Sequence, residues 1–325
     1  MTTLKDIIEK NRPDLSTGSI TTYVGSLKNI AKHSGFVGEK ISDYVQHYDE
    51  IIKYLKTMKP NVRKSKMAAI IVLLDDKHNE VTKSVGDVIE KYKKFMKEDK
   101  ETIDSAPTQE LSDKQKENLI PWLDVMRIYE KLKNDTRHLW NKETLTVNDW
   151  YQLQKYILLS LYVLNEPRRS KDYCSFKIRN INTVYTPRGN NNENYMINPR
   201  GKKSQATFVF NDYKNANRLG PQRVEVPPEL KKIIVRWINK NPYEYLLFKG
   251  DGNKIGQVAL GRMLNDIFKP KDISSSMLRH IWLTHKYGDV NLDHLIQSAH
   301  NMGNSSIDQI LKYVQKPGDK VESDE

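Results

Sequence analysis

Residues 98–112, EDKETIDSAPTQELS, interrupt the apolar periodicity on both sides of them, so the chain must bury two separate cores. The stretch is polar, locally acidic and holds Pro107. A chain of 325 residues is long enough for two domains. The expected organisation is a helical domain over residues 1–100, a linker over 101–118 and a second domain over 119–325.

The first domain reads as four short helices. Ile20, Tyr23, Leu27 and Ile30 recur at helical spacing before Gly35, and Tyr44, Tyr48, Ile51, Ile52 and Leu55 repeat the pattern before Pro60. Ala68 to Leu74 is apolar nearly all round, as a buried central helix requires. Val85, Val88, Ile89, Tyr92 and Met96 mark the fourth. Two basic clusters flank the apolar helix. Lys53, Lys56, Lys59, Arg63, Lys64 and Lys66 form one, and Lys91, Lys93, Lys94, Lys97 and Lys100 the other. A solvated surface explains any one of these lysines; two clusters together suggest a phosphate-binding face.

The second domain reads as mainly helical with a small antiparallel sheet inserted early. Trp122, Val125, Met126, Tyr129 and Leu132 give an amphipathic helix, and Asn148 is a candidate cap for the next, which carries Trp150, Leu153, Ile157 and Leu161. Strands are expected over 177–182, 194–197, 207–213 and 223–226, with Phe208, Phe210, Val224 and Val226 on one face and Asn190–Asn192 at a hairpin tip. Helices are expected over 228–239 and 257–268, and through most of the tail.

Composition narrows the partner. There are 53 Lys and Arg against 41 Asp and Glu, a formal charge of +12, which favours an anionic partner and nucleic acid first. The longest apolar runs are far short of the roughly 20 residues that span a bilayer, and the charged first ten residues contain no signal-peptide core. The lone Cys174 leaves no internal disulfide and fits a reducing, intracellular setting. His280 and His285, like His294 and His300, lack the i, i+4 spacing of a helical metal site, and there is no Walker-type glycine loop, so neither metal nor ATP is expected.

Four ordered patterns carry the chemistry: PRRSKDY at 167–173, FNDYKNANRLGPQRVEVP at 210–227, SSSMLRHIWLTH at 274–285 and AHNMGNSSIDQILKYV at 299–314. Together they resemble the tyrosine recombinase and integrase family. Arg169, Asp172, Tyr173, Phe176, Ile178, Asn180 and Ile181 fall in register on that family's first box. The resemblance makes Arg169, rather than Arg168, the first catalytic arginine, with Asp172 as its supporting acid. It matches the family's hairpin lysine best to Lys214, with Lys202 and Lys203 as rivals. Leu278, Arg279 and His280 match the end of the second box, so Arg279 is the second arginine, while Ser276 stands where the family usually has histidine. Met302, Gly303 and Asn304 stand at the third box, with Asn304 replacing histidine and Tyr313 nine positions later as the nucleophile. The boxes run from about Trp122 to Val314; residues 1–100 resemble the family's core-binding domain in size and class only. The phrase PRR and the serine-substituted histidine are similar to integrases of large DNA viruses and their mobile elements.

The residue types suit a metal-free phosphoryl transfer. A phenol can attack phosphorus and hold the broken strand as a 3′-phosphotyrosine. Two guanidinium groups can fork onto the non-bridging oxygens. A lysine can protonate the departing 5′ oxygen. Ser276 and Asn304 can donate hydrogen bonds but cannot act as bases near neutral pH, so a water or the phosphate accepts the tyrosine proton. Ile307, Ile310, Leu311 and Val314 form an apolar helical stripe that leaves Tyr313 outside it. The resemblance implies double-stranded DNA as partner and a homotetramer assembled on paired sites, without cofactor or membrane. The alternatives are a type IB topoisomerase-like relaxation enzyme and a DNA-binding relative that has lost cutting.

Overall fold

The computed structural model describes residues 3–75, 83–105, 113–179, 192–197, 205–287, 297, 298 and 300–303. The chain divides into two compact units, Met1–Glu110 and Leu111–Glu325.

The first unit holds α1 (Leu4–Asn11), α2 (Thr17–Ser34), α3 (Ile41–Gln46), α4 (Tyr48–Lys56), α5 (Pro60–Leu74) and α6 (Lys83–Ser105). Among the described residues six helices stand where periodicity indicated four. The expected helix over Tyr44–Leu55 is divided at His47 into α3 and α4, and α1 is too short for an apolar stripe to register. Instead α1 is announced by a capping box, in which Thr3 accepts from the Asp6 amide and Asp6 accepts from Thr3. Its last residue, the buried Asn11, donates to the carbonyls of Val72 and Leu73 at 2.9 and 3.3 Å and so fixes α1 to the end of α5. As expected, α5 is central: Met67 and Ala69 to Leu74 are all buried.

Helix α6 continues through Ser105, beyond the point where apolar periodicity stops. On this stretch Asp99, only 2% exposed, accepts from Arg63 Nε at 2.7 Å and pairs again through Arg63 Nη2. The Arg63 guanidinium also lies 4.9 Å from the centre of the Phe95 ring. Removing one member of such a pair leaves a charge buried without compensation. Asp99→Ala is expected to destabilise the helical unit by about 3 kcal/mol, measured by urea denaturation followed by circular dichroism.

The second unit contains α7 (Asp113–Asn118), α8 (Trp122–Asp135), a 3-10 turn (Arg137–Asn141), α9 (Val147–Val163), α10 (Ser170–Cys174), α11 (Ala216–Leu219), α12 (Pro228–Lys240), α13 (Gln257–Phe268) and α14 (Ser275–Tyr287). Thr146, not Asn148, caps α9: its hydroxyl accepts from the Asp149 amide, while Asp149 accepts from the Thr146 amide at 2.9 Å. Asn148 is the second residue of the helix. Helix α9 is buried along most of its length and packs against α8, α12 and α13. Trp237 of α12, fully buried, packs edge-on against Trp140 and Trp150 and donates its indole N–H to the Leu246 carbonyl at 2.8 Å.

The sheet is mixed rather than antiparallel. Its order is β1 (Phe176–Lys177), β2 (Asn194–Ile197), β3 (Thr207–Phe210) and β4 (Gln222–Glu225), with β1 and β2 parallel and the other pairs antiparallel. Asn190 and Asn191 lie outside the described residues. Phe208, Phe210, Val224 and Val226 do share the buried side.

Candidate DNA strand-transfer site

Pro167–Arg169 leads out of α9 into the short α10, and Arg169, the residue before α10, has extended backbone at φ −70°, ψ 149°. Neighbouring side chains on extended backbone point to opposite sides, and the two arginines meet different fates. Arg168 is fully buried. Its Nε donates to Asp172 at 2.8 Å, its Nη2 to Gln222 Oε1 at 2.9 Å and its Nη1 to the Asn301 carbonyl. The guanidinium stacks 3.9 Å from the Phe210 ring centre. Arg169 stays half-exposed and donates to the Gly303 carbonyl at 3.3 Å.

Asp172 is the hub. It is 1% exposed, and burial pushes its carboxyl upward, while the guanidinium groups of Arg168, Arg169 and Arg279 pull it back. Arg169 and Arg279, far apart in sequence, thus act on one buried carboxylate. Arg279 is itself 1% exposed, on α14, a helix capped by the Ser274 hydroxyl accepting from the Met277 amide at 3.2 Å.

Lys214 is brought towards this cluster by Asn194, a buried residue of β2. Asn194 donates to the carbonyls of Asp172 and Asp212 at 2.9 and 2.7 Å and accepts from the amides of Asn211 and Asp212 at 2.8 Å each. Lys171 and Asp212 pair at 2.6 Å across the same junction. Lys214 follows as an exposed residue in the β3–β4 connection, lining an open polar cavity of about 750 Å³ with Lys171, Asn211, Asp212 and Tyr213. The next residue, Asn215, donates to the Gly303 carbonyl at 2.6 Å, so it shares an acceptor with Arg169. Lys202 and Lys203, in the β2–β3 connection, lie outside the described residues, as do Asn304 and Tyr313.

Gly303 is required at its position for two reasons. Its φ is +68°, and an added Cβ would come within 3.0 Å of Arg168 Nη2 and 3.1 Å of the Tyr213 ring. Ser276 is not drawn into the cluster. It is exposed on the first turn of α14 and lines a separate cavity of about 310 Å³ with Lys114, Asn118, Asn265 and Asp272.

The basic residues of the helical unit also divide. Lys53, Lys56 and Lys59 are exposed, and Lys64 is half-exposed. Arg63 is an internal tie to Asp99 rather than a surface cation. Lys66 donates to Asn29 Oδ1 at 2.6 Å, beside the Tyr54 hydroxyl on the same oxygen, and partial burial lowers its ammonium pKa. Among the described residues, no group of three His, Cys, Asp or Glu side chains is placed to hold a metal ion, and no helix is long and apolar enough to cross a membrane.

Sequence reasoning set Arg168 aside as a neighbour of the functional arginine and did not single out Gln222, Asn215 or Asn194. The PRR doublet is the one available signal, because adjacent arginines entering a helix cannot share an environment.

The chain is similar in structure to a lambda integrase, crystallised as a dimer bound to a COC′ core site. The TM-score is 0.50 at 10% sequence identity, over 99% of this chain and 79% of that one. The fold resembles that of the tyrosine recombinases. A lambda integrase tetramer bound to a Holliday junction matches with a TM-score of 0.47 at 10% identity, over 99% and 80% of the two chains. The XerA recombinase matches with a TM-score of 0.42 at 12% identity, over 97% and 93%. No protein-family model and no curated protein sequence matches the chain.

Proposed function

We propose that the protein is a site-specific DNA recombinase that cleaves and rejoins strands through a 3′-phosphotyrosine on Tyr313. The observation that carries the reading is the meeting of Arg169 and Asn215, the neighbour of Lys214, at the Gly303 carbonyl, on the chain that leads into Asn304 and Tyr313, with Arg279 buried where its charge acts on Asp172. Asp172 is hydrogen-bonded to Arg168, and its charge acts on Arg169 and Arg279. Both then bind the non-bridging oxygens of one phosphate and neutralise the charge that grows as the phenol attacks.

Lys214, across the cavity from Lys171, delivers the proton to the departing 5′ oxygen; Lys202 and Lys203 are its rivals for that role. Ser276 and Asn304 offer hydrogen bonds, not bases, so a water or the phosphate takes the tyrosine proton. The phosphotyrosine conserves the energy of the broken bond, so rejoining needs no nucleotide hydrolysis, and no metal is required for a step whose charge two arginines already balance. In the helical unit, Lys53, Lys56, Lys59 and Lys64 supply phosphate contacts that carry no sequence information. Dimers and tetramers on paired DNA sites are the proposed working assembly, with a virus or mobile element as the proposed source.

A nicked suicide duplex, in which the cleaved fragment diffuses away, tests the reading. The expected result is a protein–DNA adduct that survives denaturing electrophoresis and forms in the presence of a chelator. Tight duplex binding with no adduct on any candidate site would reduce the protein to a DNA-binding relative.

A further inference from the structure

The tetrapeptide Glu166–Arg169 meets Ser298 and residues 300–303 in a seam of side-chain contacts in matching order. Glu166 accepts from the Ser298 hydroxyl at 2.9 Å and from Lys286 at 3.4 Å. Arg168 donates to the Asn301 carbonyl, and Arg169 to the Gly303 carbonyl at 3.3 Å. Gln222 adds a third tie at the same end, donating to the His300 carbonyl at 2.7 Å while its oxygen accepts from Arg168. Three of the acceptors on the 300–303 side are backbone carbonyls, so the seam reads the path of the chain and not its side chains. Ser298 and Met302 are buried beneath it.

From this arrangement we propose that Arg168 is a positioning residue for strand cleavage, anchoring the 300–303 turn so that the segment carrying Tyr313 enters the site at Arg169. The inference rests on the proposed recombinase reading for its catalytic consequence, but not for the anchoring itself. Arg168 suits the task because one rigid fork meets Asp172, Gln222 and Asn301 at once, and a lysine has no geometry that spans all three. It is distinct from Arg169: its charge is spent inside the protein, and it touches no substrate.

The test is Arg168→Met, which keeps the length of the side chain and removes its donors. Gln222→Met is the second variant, because it removes the His300 tie while leaving the Arg168–Asp172 pair intact should Arg168→Met fail to fold. Two quantities are read on the full chain: amide hydrogen exchange over 297–303, and the single-turnover cleavage rate at saturating suicide duplex beside the duplex Kd. Misplacing a reacting group by about 1 Å costs on the order of 100-fold in rate. Arg168→Met is expected to slow cleavage about 100-fold and Gln222→Met about tenfold, with Kd changed less than about twofold and exchange raised over 297–303 but not in α9. Wild-type exchange and wild-type rate in a folded variant would overturn the proposal. If the wild-type protein itself forms no adduct, the recombinase reading falls alone, and the exchange comparison then decides the anchoring: faster exchange upholds it, unchanged exchange overturns it.

Discussion

Tyr313→Phe is expected to abolish covalent attachment to DNA, by at least about 10⁴-fold, while leaving duplex affinity within about twofold. Phenylalanine keeps the ring and deletes the one atom that attacks phosphorus. The prediction is specific because the tyrosines nearest the arginine cluster are unsuited to the role. Tyr162 and Tyr173 are fully buried, and burial drives both hydroxyls well above their ordinary range, which disfavours the phenolate that attack requires. Tyr213 donates its hydroxyl to the Gly220 carbonyl at 2.7 Å and uses its ring edge against Gly303. Tyr213→Phe therefore serves as the control and retains the adduct. Denaturing electrophoresis of the three proteins with one suicide duplex, beside fluorescence anisotropy for affinity, makes the comparison.

Arg279→Met is expected to lower the single-turnover cleavage rate by about 10³-fold, equivalent to about 4 kcal/mol of transition-state stabilisation. The phosphate gains negative charge on its non-bridging oxygens as the transition state forms, and a donor whose position is fixed before the reaction stabilises that charge without reorganisation. Arg279 is buried on α14, within a helix whose start is capped by Ser274, and its charge acts on Asp172. The fold should tolerate the substitution, because Asp172 keeps its direct bond to Arg168 and methionine fills most of the vacated volume. Arg279→Lys should recover only part of the rate, since an ammonium cannot reproduce the forked geometry. A loss confined to affinity, with the rate at saturating DNA unchanged, would assign Arg279 to ground-state binding instead.

Much of the fold was legible because its signals are periodic. The all-apolar run that became α5 and the alternation that put Phe208, Phe210, Val224 and Val226 on one buried face need only the geometry of helices and strands. Elements stabilised by a single long-range polar contact were not legible. The extended part of α6 carries Asp99, which meets Arg63, and nothing local marks Asp99 as buried. Pairing direction is likewise a long-range matter, which is why the sheet is mixed and not antiparallel throughout. In the site, spacing picked out Arg169 and Arg279, and both bear on Asp172. Spacing could not reveal that Asn194 would bind the backbone on both sides of the junction, or that Ser276 would line a different cavity from Arg279's surroundings. Those facts depend on which carbonyls and hollows the folded chain happens to bring near, and a sequence motif does not encode them.

The proposed strand transfer rests on one covalent bond, between a phenol at position 313 and a phosphate gripped by Arg169 and Arg279. Trapping the adduct on a suicide duplex, digesting both components and sequencing the nucleotide-bearing peptide by mass spectrometry locates that bond. The expected result is a 3′-linked nucleotide on the peptide containing Tyr313. A nucleotide on any other side chain would contradict it.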